Sequence, residues 1–323
     1  MIREAFPLAE FLGSAANMNG LQQAVSPGKG KIRTVQLLYD QRILESAVNT
    51  NSTDFCTATT KRGNCSQNYE IDTTDNILVE QLIEREDLVE VCLDNGQFLA
   101  KQLAKMVDAL ERKIATRWTN DTYALAGAWG SDVPSGDLNG SVLEVDTVTG
   151  GTIQPFAMEI INDDLTKSGY CAPVFIAAGS SLNRYYRRML AGCCSNQGID
   201  LGSIFAQYGS AVAYDRRVKN AFGDEVHGLA VQLGAVAPLW FTWNQWKDGM
   251  AVPQGGSDYV NYGLITPRLG VPVDVYFLDK CPGSLHIIVA AVTKCVGLPT
   301  DLFPTGDLYD GVTFVNKIKC IES

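Results

Sequence analysis

Histidine is nearly absent from this 323-residue chain, which holds only His227 and His286. Two isolated histidines cannot make the paired-ligand helix of a zinc hydrolase. The nine cysteines form no C-x-x-C pair: Cys193 and Cys194 are adjacent, and Cys56, Cys65, Cys92, Cys171, Cys281, Cys295 and Cys320 are scattered. That spacing excludes a zinc cage, and an odd count without an export signal favours reduced, mostly buried thiols. No G-x-S-x-G, Walker A or G-x-G-x-x-G element occurs, so neither a nucleophile elbow nor a phosphate loop is present. No apolar run approaches the roughly 18 residues of a membrane span. The opening MIREAFPLAEFLGSAAN is interrupted by Arg3, Glu4 and Glu10 too early for a signal peptide, and the chain is expected to originate in the cytosol. Charge is also sparse, at 19%, and its balance of −10 opposes a general affinity for nucleic acid.

Several fragments look like chemistry and fail on context. Asp224-Glu225-Val226-His227 holds metal-ligand types, but reads better as a charged turn before a strand. The S-x-x-K spacing of Ser26 and Lys29 encloses Pro27 and Gly28, which oppose the helix that would bring Ser and Lys to one face. Gly28-Lys29-Gly30 precedes a strand, where a phosphate loop would follow one. Arg184-Tyr185-Tyr186-Arg187-Arg188 could stack bases from a loop; on a helix the five residues spread around the cylinder and give a tyrosine face and a solvated arginine face. Cys171, Cys193 and Cys194 lack a neighbouring base in any recognisable pattern. Asn51, Asn64, Asn120 and Asn139 fit the glycosylation sequon, a chance match without secretion. These readings leave no catalytic residue, cofactor site or metal site to nominate, and the chain is expected not to be an enzyme. A rival of a different class is a soluble carbohydrate-binding or adhesive protein using Trp240, Trp243 and Trp246, a cluster that could equally be core.

What the sequence does contain is an ordered succession at its front. Over residues 31–43, Val35, Leu37, Tyr39 and Ile43 alternate with Thr34, Gln36, Asp40 and Arg42, the period-two pattern of a half-buried strand. Residues 49–67, NTNSTDFCTATTKRGNCSQ, are rich in Thr, Ser and Asn and cannot build a core of their own. Alternation resumes at residues 69–73 and continues through Ile77, Val79 and Ile83. The unit predicts a projecting hairpin with about 50 Å of reach at ~3.3 Å per residue. An arm of that length needs a neighbour, and Phe55, Cys56, Lys61, Arg62 and Cys65 mark its tip as an inter-subunit contact. Cys56 and Cys65 could also pair across it.

Glu84-Arg85-Glu86-Asp87 reads as a solvated face, and Asp94-Asn95-Gly96 as the start of a long helix. From residue 97 to about 120, Leu99, Leu103, Met106, Leu110, Ile114 and Trp118 recur at helical period and form one apolar stripe. Each would contribute about 1.5–3 kcal/mol if fully buried. The opposite face carries Lys101, Lys105, Asp108, Glu111, Arg112, Lys113 and Arg117, with positive charge gathered toward the carbonyl end of the dipole. Residues 123–151 read as loops with a short alternating piece at 142–148. A helix at 153–168, a buried strand at 173–178 and a helix capped by Ser180 or Ser181 and running to Leu190 follow. Further strands are expected near 212–214, 229–243, 271–277, 287–292 and 312–318. The fold class is mixed α+β, with no internal repeat.

This order of elements resembles the major capsid proteins of tailed bacteriophages, whose fold is shared with encapsulins and the herpesvirus capsid floor domain. The segment GYCAPVFIAAGSSLNRYYRRML is similar to the helix-strand-helix core of that family's axial domain, and Leu269-Gly270-Val271-Pro272-Val273-Asp274 looks like a strand entering its closing sheets. The resemblance implies an N-terminal arm at 1–30, an extended-loop hairpin at 31–92, a peripheral domain with the spine helix at 93–151, an axial domain at 152–270, and closing strands of both sheets at 271–323. It implies a structural protein that assembles with itself into pentamers and hexamers of an icosahedral head and encloses double-stranded DNA without sequence-specific binding. Its place would be the virion, reached through the host cytoplasm, with portal, scaffolding and head-completion proteins as partners and no membrane. The arm would strap a neighbouring subunit. No long charged helical extension precedes it, so scaffolding would be a separate protein. Some relatives cross-link an extended-loop lysine to an asparagine next door; Lys61 sits near the predicted tip, and no asparagine is nominated. An encapsulin-like compartment is the nearest alternative.

Overall fold

The computed structural model describes residues 4–14, 17–18, 22–26, 32–40, 64–84, 86, 95–126, 143–145, 174–180, 182–183, 210–218, 226–242, 259–281, 284–297, 311–316 and 318–320. Expectations for the 153–168 helix, Arg184 to Arg188, Trp243 and Trp246 lie outside them.

One long helix organises the centre. It runs Asn95–Leu125 (α2), about 46 Å at ~1.5 Å per residue, and continues past the expected stop near residue 120. Met106, Leu110, Ile114 and Trp118 are buried, together with Val107 and Ala115, while Leu99 and Leu103 are only partly covered. The apolar stripe is therefore deep at its C-terminal half and shallow at its N-terminal half. It packs on a sheet in the order β10-β11-β12-β4, built from Ile77–Glu84 (β4), Tyr259–Ile265 (β10), Pro272–Cys281 (β11) and Ser284–Gly297 (β12). Alternation puts Ile77 and Ile83, Val273 and Val275, and Ile287 and Val289 on the face toward α2.

The fourteen-residue β12 has three partners, β11 among them. Residues 284–291 pair with β4, and 292–297 pair with Val236–Phe241 (β9). A hydrogen-bonded link crosses the layers here: Trp118 Nε1 donates to Thr293 Oγ1 at 2.9 Å, and that hydroxyl donates to the Leu239 carbonyl at 2.8 Å. On the far side of β9 and β12 lies a three-stranded antiparallel sheet of Gln22–Ser26 (β1), Ile32–Asp40 (β2) and Asn64–Asp72 (β3). Its Val35, Leu37 and Ile71 form a second, smaller core with Ala237, Leu239, Phe241, Val292 and Val296.

A four-stranded sheet, β13-β8-β6-β7, joins Val312–Asn316 (β13), Val226–Gln232 (β8), the wholly buried Val174–Ala178 (β6) and Ser210–Tyr214 (β7), with β6 and β7 parallel. Leu143–Val145 (β5) and Ile318–Cys320 (β14) form a small parallel pair.

Several expectations are corrected. The hairpin does not continue through Ile83: a turn at 72–75 ends it, and β4 departs to the sheet under α2, because Ile77 and Ile83 have an apolar face to bury there. The expected strand at 229–243 is two strands, broken by a turn at Gly234, whose φ of 78° suits glycine. Strands β1 and β10 were not anticipated; Gln and Ser in one and Asn and Gly in the other dilute the alternating signal.

The N-terminal segment is the largest correction. It does not project as an arm over residues 6–12. Pro7–Leu12 (α1) opens with proline in its first turn, and Phe6, Leu8, Ala9 and Leu12 are buried in this chain's own main core. Phe11 stacks on Phe175 with ring centroids 4.7 Å apart. Gly13 passes so close to β11's approach that a Cβ there would meet the Leu269 carbonyl oxygen at 2.6 Å. Asn17 then ties the segment down, donating to the Leu12 and Val236 carbonyls and accepting from the Gly234 N–H, each at 2.9 Å.

Candidate assembly surfaces

Three surfaces are built in ways that matter for recognition. The first is the β2–β3 hairpin. Nine residue pairs run from Ile32 opposite Asp72 to Asp40 opposite Asn64. Its root is bolted by Val35, Leu37 and Ile71 and by the Tyr69 hydroxyl, which donates to the Gly297 carbonyl at 2.8 Å. Arg33 is buried on the same face, a residue the alternation alone did not single out. Cys65 stands in β3 opposite Tyr39, whereas Phe55, Cys56, Lys61 and Arg62 fall outside the described residues.

The second surface is the face of the β10-β11-β12-β4 sheet turned away from α2. Leu78 and Leu82 of β4 are about half exposed, at 48% and 53%, beside Glu80. Across β12 they stand opposite Ala290 and His286, and Glu80 Oε2 lies 3.3 Å from His286 Nε2. Ile265 at the end of β10 is more open still, at 67%. Sequence reasoning missed these residues although the signal was there. The run Ile77-Leu78-Val79 followed by Leu82-Ile83 is apolar on both faces of a strand, and one face has no described cover.

The third surface surrounds the docked N-terminal segment, where charge holds the apolar anchor. The Arg268 guanidinium sits 3.6 Å from the Phe6 ring centroid and Arg217 sits 5.2 Å from it, so two cations contact one ring. Arg268 also pairs with Glu10 and donates to the Glu4 carbonyl at 2.7 Å. Glu4 pairs with Arg216 at 2.7 Å and Arg217 at 2.8 Å. Asp215, buried, accepts from the Arg217 N–H at 3.0 Å. Burial raises the Asp215 pKa, against the opposing pull of Arg217.

Glu111 departs from its expected place on the face of α2 opposite the apolar stripe. It is 1% exposed and turned inward, accepting from the backbone N–H groups of Arg268 at 2.9 Å and Leu269 at 3.4 Å. Those donors belong to the tight 266–271 turn, where Gly270 adopts φ 68° and Thr266 accepts from the Val271 N–H. Desolvation raises the Glu111 pKa more than the two N–H groups lower it. Asp121 behaves alike: burial raises it while it accepts from the Cys295 N–H at 2.8 Å. The Cys295 thiol is fully enclosed and pushed well above its ordinary value, which keeps it in the unreactive protonated form. Among the described residues no group of three His, Cys, Asp or Glu side chains could hold a metal ion, and no helix is long and apolar enough to cross a membrane. Trp240 is half-buried and packs against the main core.

No family model matches the chain, and no curated protein matches it. Among solved structures, similar chains come from phages and from a virus-like particle. The chain resembles phage capsid subunits. A chain of Mycobacterium phage Che8 is 12% identical, with 97% of this chain and 93% of that one covered at a TM-score of 0.43. The capsid of Cyanophage P-SCSP1u is 11% identical over 90% and 84%, at 0.45. A virus-like particle from Pyrococcus furiosus is 8% identical over 96% and 97%, at 0.43. At such distances the likeness is one of overall course, and what this chain does has to be read from its own surfaces.

Proposed function

We propose that this chain is a self-assembling shell subunit, the major capsid protein of a tailed phage, and that its copies form the pentamers and hexamers of an icosahedral head around double-stranded DNA. The observation that carries the reading is the hairpin. Its root is packed on β9 and β12, yet its strands lead on to residues 41–63, a polar stretch with too little apolar content to form a core alone. A rigid base under such an excursion suits a lever that is completed by a neighbouring subunit.

The apolar outer face at Leu78 and Leu82 adds a second place where a copy could be seated. Different patches on the two sides of a contact make it heterologous, and repeated rotation of a heterologous contact closes into rings. The acidic balance of −10 suits a wall that encloses nucleic acid without gripping it. Portal, scaffolding and head-completion proteins belong to the same proposal. Phe55, Cys56, Lys61, Arg62 and Cys65 are its contact residues at the tip, and the virion is its location.

Negative-stain electron microscopy and light scattering of the purified chain, with and without a co-expressed scaffolding protein, test it. Capsomers, tubes or closed shells are expected. A monodisperse monomer under every condition would refute the proposal.

A further inference from the structure

We infer that the outward face of α2 is the surface this chain turns toward double-stranded DNA, where Lys101, Lys105 and Lys113 contact the phosphate backbone weakly and without regard to sequence. The inference rests on the shell reading and names the wall that faces the contents. Lys101, Lys105 and Lys113 are exposed, and among the described residues none of them takes part in an ion pair. The other cations of the helix are taken: Arg112 pairs with Asp108 at 3.2 Å, and Arg117 pairs with Asp75. At about 3.6 residues per turn, Lys101, Lys105 and Arg112 fall on one line along the helix, and Lys113 adjoins it. The row from residue 101 to 113 rises about 18 Å. Glu111 and Asp121 are turned inward onto backbone N–H groups, so Asp108 is the one carboxylate of α2 left on that face, and it is already paired.

An ordinary solvated helix face does not account for this arrangement. Lys101 and Lys105 are four residues apart, as are Lys113 and Arg117, and like charges at that spacing repel and weaken a helix. Glutamate at one member of each pair would stabilise it instead. The macrodipole rewards cations in the closing turn, but Lys101 and Lys105 stand in the N-terminal half of α2, where it gives them no support. Unpaired lysines that weaken their own helix are explained by a polyanion outside it. Lysine is a point charge without the planar fork that fixes a bidentate carboxylate, which favours a diffuse phosphate array over one acidic side chain. A duplex presents about one charge per 1.7 Å of its axis, so the row meets about ten of them. The chain's balance of −10 keeps such a contact local and easily released by salt, which suits the wall of a container.

The test measures binding of the full-length chain to a short fluorescent DNA duplex across a salt series, beside Lys101→Gln/Lys105→Gln/Lys113→Gln and Lys294→Gln. Lys294 is an exposed lysine near the hairpin root and controls for net charge. The triple variant should lose at least about tenfold in affinity at low salt, and its slope of log K against log salt should flatten by about 2.7, the counterion contribution of three phosphate contacts. It should also melt at or above wild type, because both like-charge pairs are relieved. An equal loss on Lys294→Gln, an unchanged slope in the triple variant, or a clearly lower melting temperature would overturn the assignment. Hexaglutamate that displaces the labelled duplex more strongly than unlabelled duplex does would overturn it in favour of an acidic protein partner. Electron microscopy of the same preparations keeps the two readings apart. Shells whose subunits bind DNA no better than the triple variant retain the shell reading and lose this face, while lysine-dependent binding by a chain that never assembles retains the face and loses the shell.

Discussion

The N-terminal segment and the β2–β3 hairpin were both expected to reach for a neighbour, and they differ in how much they bury within their own chain. Phe6, Leu8 and Leu12 carry enough apolar surface to be worth burying at home, and they are completely enclosed by this chain. The hairpin buries only one face of its root and then leads into residues that have little to bury. Position in the chain did not decide that the N-terminal segment docks at home. Apolar content did, together with polar partners close enough to satisfy the backbone at the docking site, Asn17 and Asp215 among them.

The comparison breaks first if the N-terminal anchor proves dispensable. Phe6→Ala removes a fully buried ring and leaves Arg217 and Arg268 without the face they cover. It should cost about 3–5 kcal/mol of subunit stability in urea titration. A loss under ~1 kcal/mol would mean that the segment is a detachable strap after all. Asn17→Ala is the next largest. It strands two carbonyls and one N–H, and a loss of about 2–3 kcal/mol is expected, read as a lower denaturation midpoint with an unchanged slope.

A smaller effect should appear as a pH dependence of the docked region. Glu111, Asp121 and Asp215 all have pKa values raised by burial, from ordinary values of 4.5, 3.8 and 3.8. The folded chain then holds protons that the unfolded chain has already released. The contribution of these groups to stability therefore falls as pH rises from the ordinary carboxylate range through the folded values. Glu111→Gln keeps an acceptor oxygen for the Arg268 and Leu269 N–H groups and removes the titration. It should flatten that slope and change stability near neutral pH by no more than about 1 kcal/mol, seen in melts taken across the acid range. An unaltered slope would place the titration elsewhere.

Much of this was legible in the sequence where a single period governs burial. The α2 stripe from Met106 to Trp118 and the alternation of Val35 and Leu37 report directly which side faces the core. Glu111 was not legible, because its inward turn depends on unpaired N–H groups in a loop more than 150 residues away. The departure of β4 from the hairpin was hidden for a related reason. Alternation tells which face of a strand is buried but not which sheet buries it, and β3 and β4 continue one pattern across the turn at 72–75. The exposed Leu78 and Leu82 broke the pattern in plain view, and an apolar residue on the wrong face of a strand is the kind of irregularity that marks a contact surface.

The central claim, that the stretch beyond the hairpin root serves a neighbour and not its own fold, is tested most directly by deleting residues 53–63 and following melting and particle formation side by side with wild type. The account predicts a folded subunit within about 1 kcal/mol of wild type, because the removed sequence is too polar to build a core, together with loss of the particles that wild type forms. A deletion that unfolds the subunit, or one that assembles as well as wild type, would contradict it.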